Sequence, residues 1–208
     1  MPDLPDAQRL ENLWAGEFGD AYRERNADPE RGREPFWTAL VERLQPRNAL
    51  EVGCNIGGNL HWLAQLLGEQ NCAGIDISEG AVATVRERLP GVDARVAQAR
   101  ELPFDDGAFD LVYTVGVLIH QPPESVRQVM SEVVRCSRRW VLCAEYADTE
   151  EVEVPYRGQE GALYRRDYGG LYEEWFPELK LVDSAFIPRG EDTTWDDTTF
   201  WTFEKASG

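Results

Sequence analysis

Three observations predict an α/β fold, a mostly parallel sheet with helices on both faces. Short apolar, β-branched runs alternate with segments whose apolar residues recur every three or four positions, the pattern of strands joined by crossover helices. The first such run ends in a glycine-rich turn that leads directly into a helical pattern. The last two runs face each other across an acidic turn at 191–197, which breaks the alternation and predicts a terminal antiparallel hairpin.

The elements follow in order. Pro35 suits the first turn of a helix that carries Phe36, Trp37, Leu40, Val41 and Leu44 on one face. The first strand is read at 48–53, and the helix after it presents Leu60, Leu63, Ala64 and Leu67. A second strand at 72–77 ends at Ser78, a good N-cap for a helix with Val82, Val85 and Leu89 that stops before Pro90. Strands are expected at 94–99 and 109–115. Pro122 and Pro123 then open a helix that turns Val126, Val129, Met130, Val133 and Val134 inward, and a fifth strand spans 140–146. Residues 150–167 are polar and glycine-bearing, and read as an active-site loop. Runs at 179–187 and 198–204 complete seven strands. The expected organisation is an N-terminal lid or substrate segment at 1–34 and one domain at 35–208, with an acceptor-side insertion at about 147–170.

Composition bounds the function. With 38 acidic against 21 basic residues the 208-residue chain carries a net charge of −17. That sign weighs against nucleic acid and anionic membrane surfaces as partners. Seven tryptophans and 42% hydrophobic residues place the chain in the globular class. The N-terminus has no signal pattern and no apolar run approaches the roughly 18 residues of a membrane span, so a cytoplasmic location is expected. Cys54, Cys72, Cys136 and Cys143 are isolated and read as reduced, mostly buried thiols. His61 and His120 are the only histidines, and no metal-ligand spacing is present.

The turn Glu51-x-Gly53-x-Asn55-x-Gly57-Gly58-Asn59 carries the chemistry. Its glycines permit positive φ and close approach of backbone to ligand. Asp76, at the end of the second strand, is placed to hold the two hydroxyls of a ribose. A dinucleotide fingerprint needs a glycine where Asn55 stands, and Glu51 would repel a pyrophosphate while attracting an ammonium or sulfonium. A cationic nucleoside cofactor fits better than NAD.

These residues, with the 97–104 segment and Phe109-Asp-Leu-Val112, resemble the class I S-adenosylmethionine-dependent methyltransferases, a Rossmann-like family with a seven-stranded sheet. The resemblance covers about residues 35–205. It implies S-adenosylmethionine as cofactor and S-adenosylhomocysteine as product. Glu51 and the Gly53 and Gly57 backbone would hold the methionine moiety, with Cys54, Asn55 and Asn59 in the same turn. Asp76 would bind the ribose, Ile77, Gln98 and Ala99 would lie at the adenine, and Val115 near the sulfonium. The flanks, Trp14 to Asn26, Val115 to Pro123, and Tyr156-Arg-Gly158 with Arg165-Arg-Asp167, resemble small methylases associated with pseudaminic acid biosynthesis clusters.

Methyl transfer from a sulfonium needs near-attack geometry in a dry site, and a base only where the acceptor must lose a proton. His120 is the candidate base, the alternative being a histidine that bonds a loop carbonyl. Tyr22 resembles a lid tyrosine, the alternative being an aromatic packed with Trp14 and Phe18. Arg157, Arg165 and Arg166, with Tyr156, are expected to meet a small-molecule acceptor such as an acidic or nucleotide-linked sugar, the alternative being surface pairing with Glu150, Glu151, Glu153 and Asp167. His61 reads as a surface residue. Two other functions stay open, a cofactor-binding accessory protein and an NAD-dependent oxidoreductase.

Overall fold

The computed structural model describes residues 5–25, 30–190 and 194–206. Asn26 and residues 191–193 of the expected acidic turn therefore lie outside the described residues. Seven strands form one sheet: β1 (Ala49–Val52), β2 (Cys72–Asp76), β3 (Asp93–Val96), β4 (Phe109–Val115), β5 (Ser137–Glu145), β8 (Leu179–Ile187) and β9 (Thr198–Lys205). The strand order is β3-β2-β1-β4-β5-β9-β8. The first five are parallel, and β9 runs antiparallel between β5 and β8. The order reverses between β1 and β4, which opens a crevice at the carboxyl ends of those strands.

Both faces of the sheet are covered because successive side chains on a strand point to opposite sides. Leu50, Val52 and Val112 pack with Val129, Met130 and Val133 of α6 (Val126–Cys136) and Tyr172 of α7 (Tyr168–Trp175). Ala49, Leu111 and Tyr113 pack on the other side with Trp37 of α3 (Glu34–Leu44), Leu60 and Leu63 of α4 (Gly58–Leu67), and Val82 and Val85 of α5 (Glu79–Arg88). Ser78 caps α5, accepting from the Ala81 N–H at 3.2 Å. Trp37 is wholly buried, so its truncation to alanine would cost about 3–5 kcal/mol.

Several boundaries differ from the sequence reading. β3 ends at Val96, where its carboxyl-terminal continuation leaves the sheet for the cavity rim, and β5 begins at Ser137, directly where α6 ends. Residues 147–167 contain a two-stranded antiparallel ribbon, β6 (Val152–Glu153) with β7 (Tyr164–Arg165). α7 was not expected from the sequence: Gly169 and Gly170 dilute its helical signal, but Asp167 caps it by accepting from the Gly170 N–H at 2.9 Å. Gly169 is required there because a Cβ would come within 2.3 Å of the Trp201 indole nitrogen. The N-terminal segment forms two helices, α1 (Pro5–Ala15) and α2 (Glu17–Arg25). All four cysteines are buried free thiols. Among the described residues no helix is long and apolar enough to cross a membrane, and no group of three His, Cys, Asp or Glu residues could hold a metal ion.

Candidate active site

The crevice is a cavity walled by the β1, β2 and β4 ends and roofed by α1 and α2. Its floor begins at the turn after β1. Gly53 and Gly57 have φ of 76° and 82°, and Asn55 takes a positive φ of 44°, a conformation that asparagine tolerates better than most side chains. Gly53 also permits close approach, since a Cβ there would lie 2.4 Å from Val117 Cγ2. Gly57 does not line the cavity; a Cβ at this position would press on Val85 at 3.3 Å, so this glycine serves the packing of the turn against α5. At Gly116, by contrast, a Cβ would meet nothing within 4 Å, because that position borders the open cavity.

Two carboxylates stand on this floor. Glu51 is 1% exposed, and accepts from Asn59 Nδ2 at 2.6 Å and Tyr113 Oη at 3.2 Å. Burial outweighs those bonds and the nearby Arg33, and pushes its carboxyl up to about 8. Asp76 accepts from the backbone N–H of Ser78 at 2.9 Å and of Asn55 at 2.8 Å, which fix its two oxygens at the cavity wall. Burial raises its pKa as well, against the pull of those N–H groups. Each oxygen keeps acceptor capacity beyond its backbone bond.

On the far side His120 is held by Nδ1, which lies 2.6 Å from the Ala162 carbonyl oxygen. A carbonyl only accepts, so Nδ1 carries the proton and Nε2 is the bare acceptor of the neutral ring. Burial pushes the imidazole down to about 4, which keeps it neutral. Its ring packs on Trp14 at 4.5 Å and on Tyr156 at 5.2 Å. Trp14 also meets Tyr22 at 5.4 Å and Phe18 at 5.2 Å, so Tyr22 packs in an aromatic cluster and lines the cavity as well. Burial pushes its hydroxyl up to about 12.

The structure brings Glu51, Gly53, Cys54, Asn55, Asn59, Asp76, Ile77, Ala99, Val115, Tyr22 and His120 to this one cavity. Gln98 does not line it; Ala97 and Ala99 on either side do. Tyr156 backs His120 without reaching the cavity. None of the three arginines expected at the acceptor lines it either. Arg166 is 3% exposed, pairs with Glu151 at 2.6 Å and donates to the Gln121 carbonyl at 2.9 Å, so it fastens the β6–β7 ribbon to the segment bearing His120. Arg157 and Arg165 are exposed. His61 bonds Gln65 on the outer side of α4, as the surface reading expects.

Three residues escaped the sequence reading. Glu145, at the end of β5, is wholly buried and accepts from the N–H groups of Val117, Leu118 and Ile119 at 3.1–3.3 Å, which sets the turn that carries His120. A lone carboxylate at the end of an otherwise apolar strand was its one visible signal. Arg33 donates from Nη1 to Asn59 Oδ1 at 2.7 Å and to Thr194 through Nε and Nη2, with Trp195 over its face at 4.3 Å. Tyr146, which lines the cavity, donates to Asp196 at 2.7 Å. The partners of Arg33 stand 26 and 161 residues away, so no local spacing betrays it.

The donor set fits a cationic nucleoside. Two carboxylates, a glycine-bordered opening and an apolar rim of Ile77, Ala97 and Ala99 match a charged chain, a ribose and a flat base in turn. Comparisons with known proteins agree. Residues 49–139 match the model of a methyltransferase domain. Ajmaline N-methyltransferase of Rauvolfia serpentina is 30% identical over 152 residues, 69% of this chain and 52% of the relative. A probable chloroplastic tocopherol O-methyltransferase of Oryza sativa subsp. japonica is 37% identical, over 76% of this chain and 47% of the relative. The chain thus spans about half the length of these curated relatives. Among solved structures, magnesium protoporphyrin IX methyltransferase from Synechocystis PCC 6803 with bound SAM superposes with a TM-score of 0.71 at 14% identity, covering 99% of this chain and all of that one. The 1,6-didemethyltoxoflavin-N1-methyltransferase of Burkholderia thailandensis, with its substrate and S-adenosylhomocysteine, gives 0.75 at 18% identity, covering 99% and 93%. Domain model, relatives and fold agree: residues 49–139 are similar to a methyltransferase domain, the sheet is of the Rossmann-like methyltransferase type, and the cofactor is S-adenosylmethionine.

Proposed function

We propose that this protein transfers a methyl group from S-adenosylmethionine to an oxygen or nitrogen of a small molecule. The carrying observation is the neutral His120, which lines the same cavity as Glu51 and Asp76 with its Nδ1 already spent on the Ala162 carbonyl. The cofactor supplies an electrophilic methyl and a thioether leaving group. Glu51 offsets the positive charge of the methionine end, Asp76 accepts from the ribose hydroxyls, and the Val115–Val117 turn, fixed by Glu145, shapes the cavity between them and His120. His120 Nε2 accepts a hydrogen bond from the acceptor's O–H or N–H, aims the acceptor's reacting lone pair and takes the proton that the acceptor gives up on methylation, to pass it to solvent. α1 and α2 exclude water, and Trp14, with its buried indole N–H unpartnered, offers one donor to the acceptor.

The relatives methylate nitrogen and oxygen by name, and the flanking segments that resemble pseudaminic-acid-associated methylases are those that supply Trp14, Tyr22 and His120. Both support a small molecule of biosynthesis. An acidic acceptor loses its support. Of the two arginines on the cavity wall, Arg100 is matched by Glu11 at 2.6 Å and Arg33 stands at the Glu51 end. Around Arg33 the wall adds Tyr22, Tyr146 and Asp196, whose carboxylate opposes a further anion there. We therefore assign the acceptor as a neutral or cationic hydrogen-bond donor.

Calorimetry with S-adenosylhomocysteine, followed by turnover on a panel of amines, alcohols and acidic sugars, tests this. Micromolar binding is expected, weakened about 100-fold or more in Asp76→Ala as charge-assisted bonds of about 1.5–3 kcal/mol each are lost. Binding without turnover of any acceptor would favour the accessory reading. Turnover confined to acidic sugars would refute the charge assignment.

A further inference from the structure

Arg33 is the cavity group that the domain's glycine turn and acidic residues leave unused. It precedes Pro35 at the start of α3, and its guanidinium is anchored on three sides, by Asn59 Oδ1 and by the side chain and carbonyl of Thr194. A guanidinium has five N–H donors, so three bonds leave two. Asn59 couples it to the acidic floor: the same side-chain amide accepts from Arg33 at 2.7 Å and donates to Glu51 at 2.6 Å. A half-buried guanidinium and a buried carboxyl thus stand side by side, one amide apart, at the methionine end of the cavity. An amino acid zwitterion presents the complementary pair.

We propose that Arg33 binds the α-carboxylate of the cofactor's methionine moiety while Glu51 faces its ammonium. The assignment rests on S-adenosylmethionine binding in this cavity. It explains why a cation is retained among acidic residues, where burial alone lowers its pKa and Glu51 opposes that change. It also explains the coupling to the β8–β9 connection. Thr194 and Trp195 orient the guanidinium from a loop 161 residues away in sequence, so the carboxylate would be read by both ends of the chain. Planar, anchored donors suit a carboxylate better than the single point charge of a lysine.

The test is calorimetric and needs no acceptor. Wild-type protein is titrated with S-adenosylhomocysteine and with its decarboxylated analogue, which keeps the ammonium and lacks the carboxylate. S-Adenosylhomocysteine should bind 10- to 100-fold tighter than the analogue. In Arg33→Gln that preference should vanish, through loss of S-adenosylhomocysteine affinity with analogue binding retained. Retained analogue binding also reports an intact site. Arg33→Lys, which keeps the charge without the fork, should recover only part of the preference and serves if the glutamine variant does not fold. Equal weakening of both ligands, or an undiminished preference, would overturn the assignment while leaving the methyltransferase reading in place. Failure of wild-type protein to bind S-adenosylhomocysteine would overturn both.

Discussion

At the scale of single residues, the cavity depends on groups held in unusual protonation states by burial. Glu51 has its pKa pushed from 4.5 to about 8. Between those values the folded chain keeps a proton that the unfolded chain has released. Stability of the cofactor-free protein should therefore fall as pH rises from about 5 to 8, and Glu51→Gln should flatten that slope in thermal melts. A cationic ligand favours the ionised carboxylate, so cofactor binding below pH 8 should release a proton and tighten as pH rises. Titrations at pH 6.5 in buffers of different ionisation enthalpy read that proton; identical heats would refute it. His120 behaves oppositely. Lowered to about 4, it stays neutral from pH 5 upward, so kcat should show no inflection near 6.5. His120→Gln should lower kcat by about 10²–10⁴-fold, and unchanged turnover would remove it from the chemistry. The sequence made Glu51 and Asp76 legible because each stands in or at the end of an apolar strand run beside the glycine turn, and His120 because it is one of only two histidines and follows β4. Arg33 was hidden because nothing in its own neighbourhood requires it.

At the scale of elements, the strands were legible and the roof was less so. A strand buried on both faces reads as a continuous apolar run, which is why β4 was legible to the residue, while β3, with exposed Asp93 and Val96, was not. α7 and the β6–β7 ribbon take their shape from contacts with distant segments, Gly169 against Trp201 and Arg166 against Gln121. The roof is fastened in the same way. Glu11 of α1 holds Arg100, beyond β3, in a bidentate pair at 2.6 and 2.8 Å whose side chains are only 14% and 10% exposed. The Ala7 N–H adds a bond to Glu124 at 2.9 Å. We expect ligand exchange to require α1 to lift, which parts the pair. Glu11→Gln should speed S-adenosylhomocysteine dissociation about tenfold, equivalent to about 1.4 kcal/mol, in stopped-flow displacement. An unchanged off-rate would mean that ligand escapes by a route other than α1.

At the scale of the whole molecule, the charge of −17 acts on whatever approaches the cavity. Fields of this kind change encounter rates more than they change bound-state affinity, and salt screens them over about 8–10 Å at physiological strength. The cofactor and its product give an internal control. S-Adenosylmethionine carries a sulfonium, an ammonium and a carboxylate, a net charge of +1, whereas S-adenosylhomocysteine has lost the sulfonium charge and is neutral overall. An acidic protein should therefore capture the cofactor faster than the product, and only the cofactor's association should respond to salt. Raising sodium chloride from about 20 to 500 mM should slow S-adenosylmethionine association several-fold while leaving that of S-adenosylhomocysteine nearly constant. Stopped-flow tryptophan fluorescence would follow both, since Trp14 and Trp195 line the cavity. Equal salt slopes would place the effect in general screening of the lid contacts and not in steering. Unequal slopes would give the acidic composition a functional role, in drawing a cationic methyl donor toward the site and letting the neutral product leave without that pull.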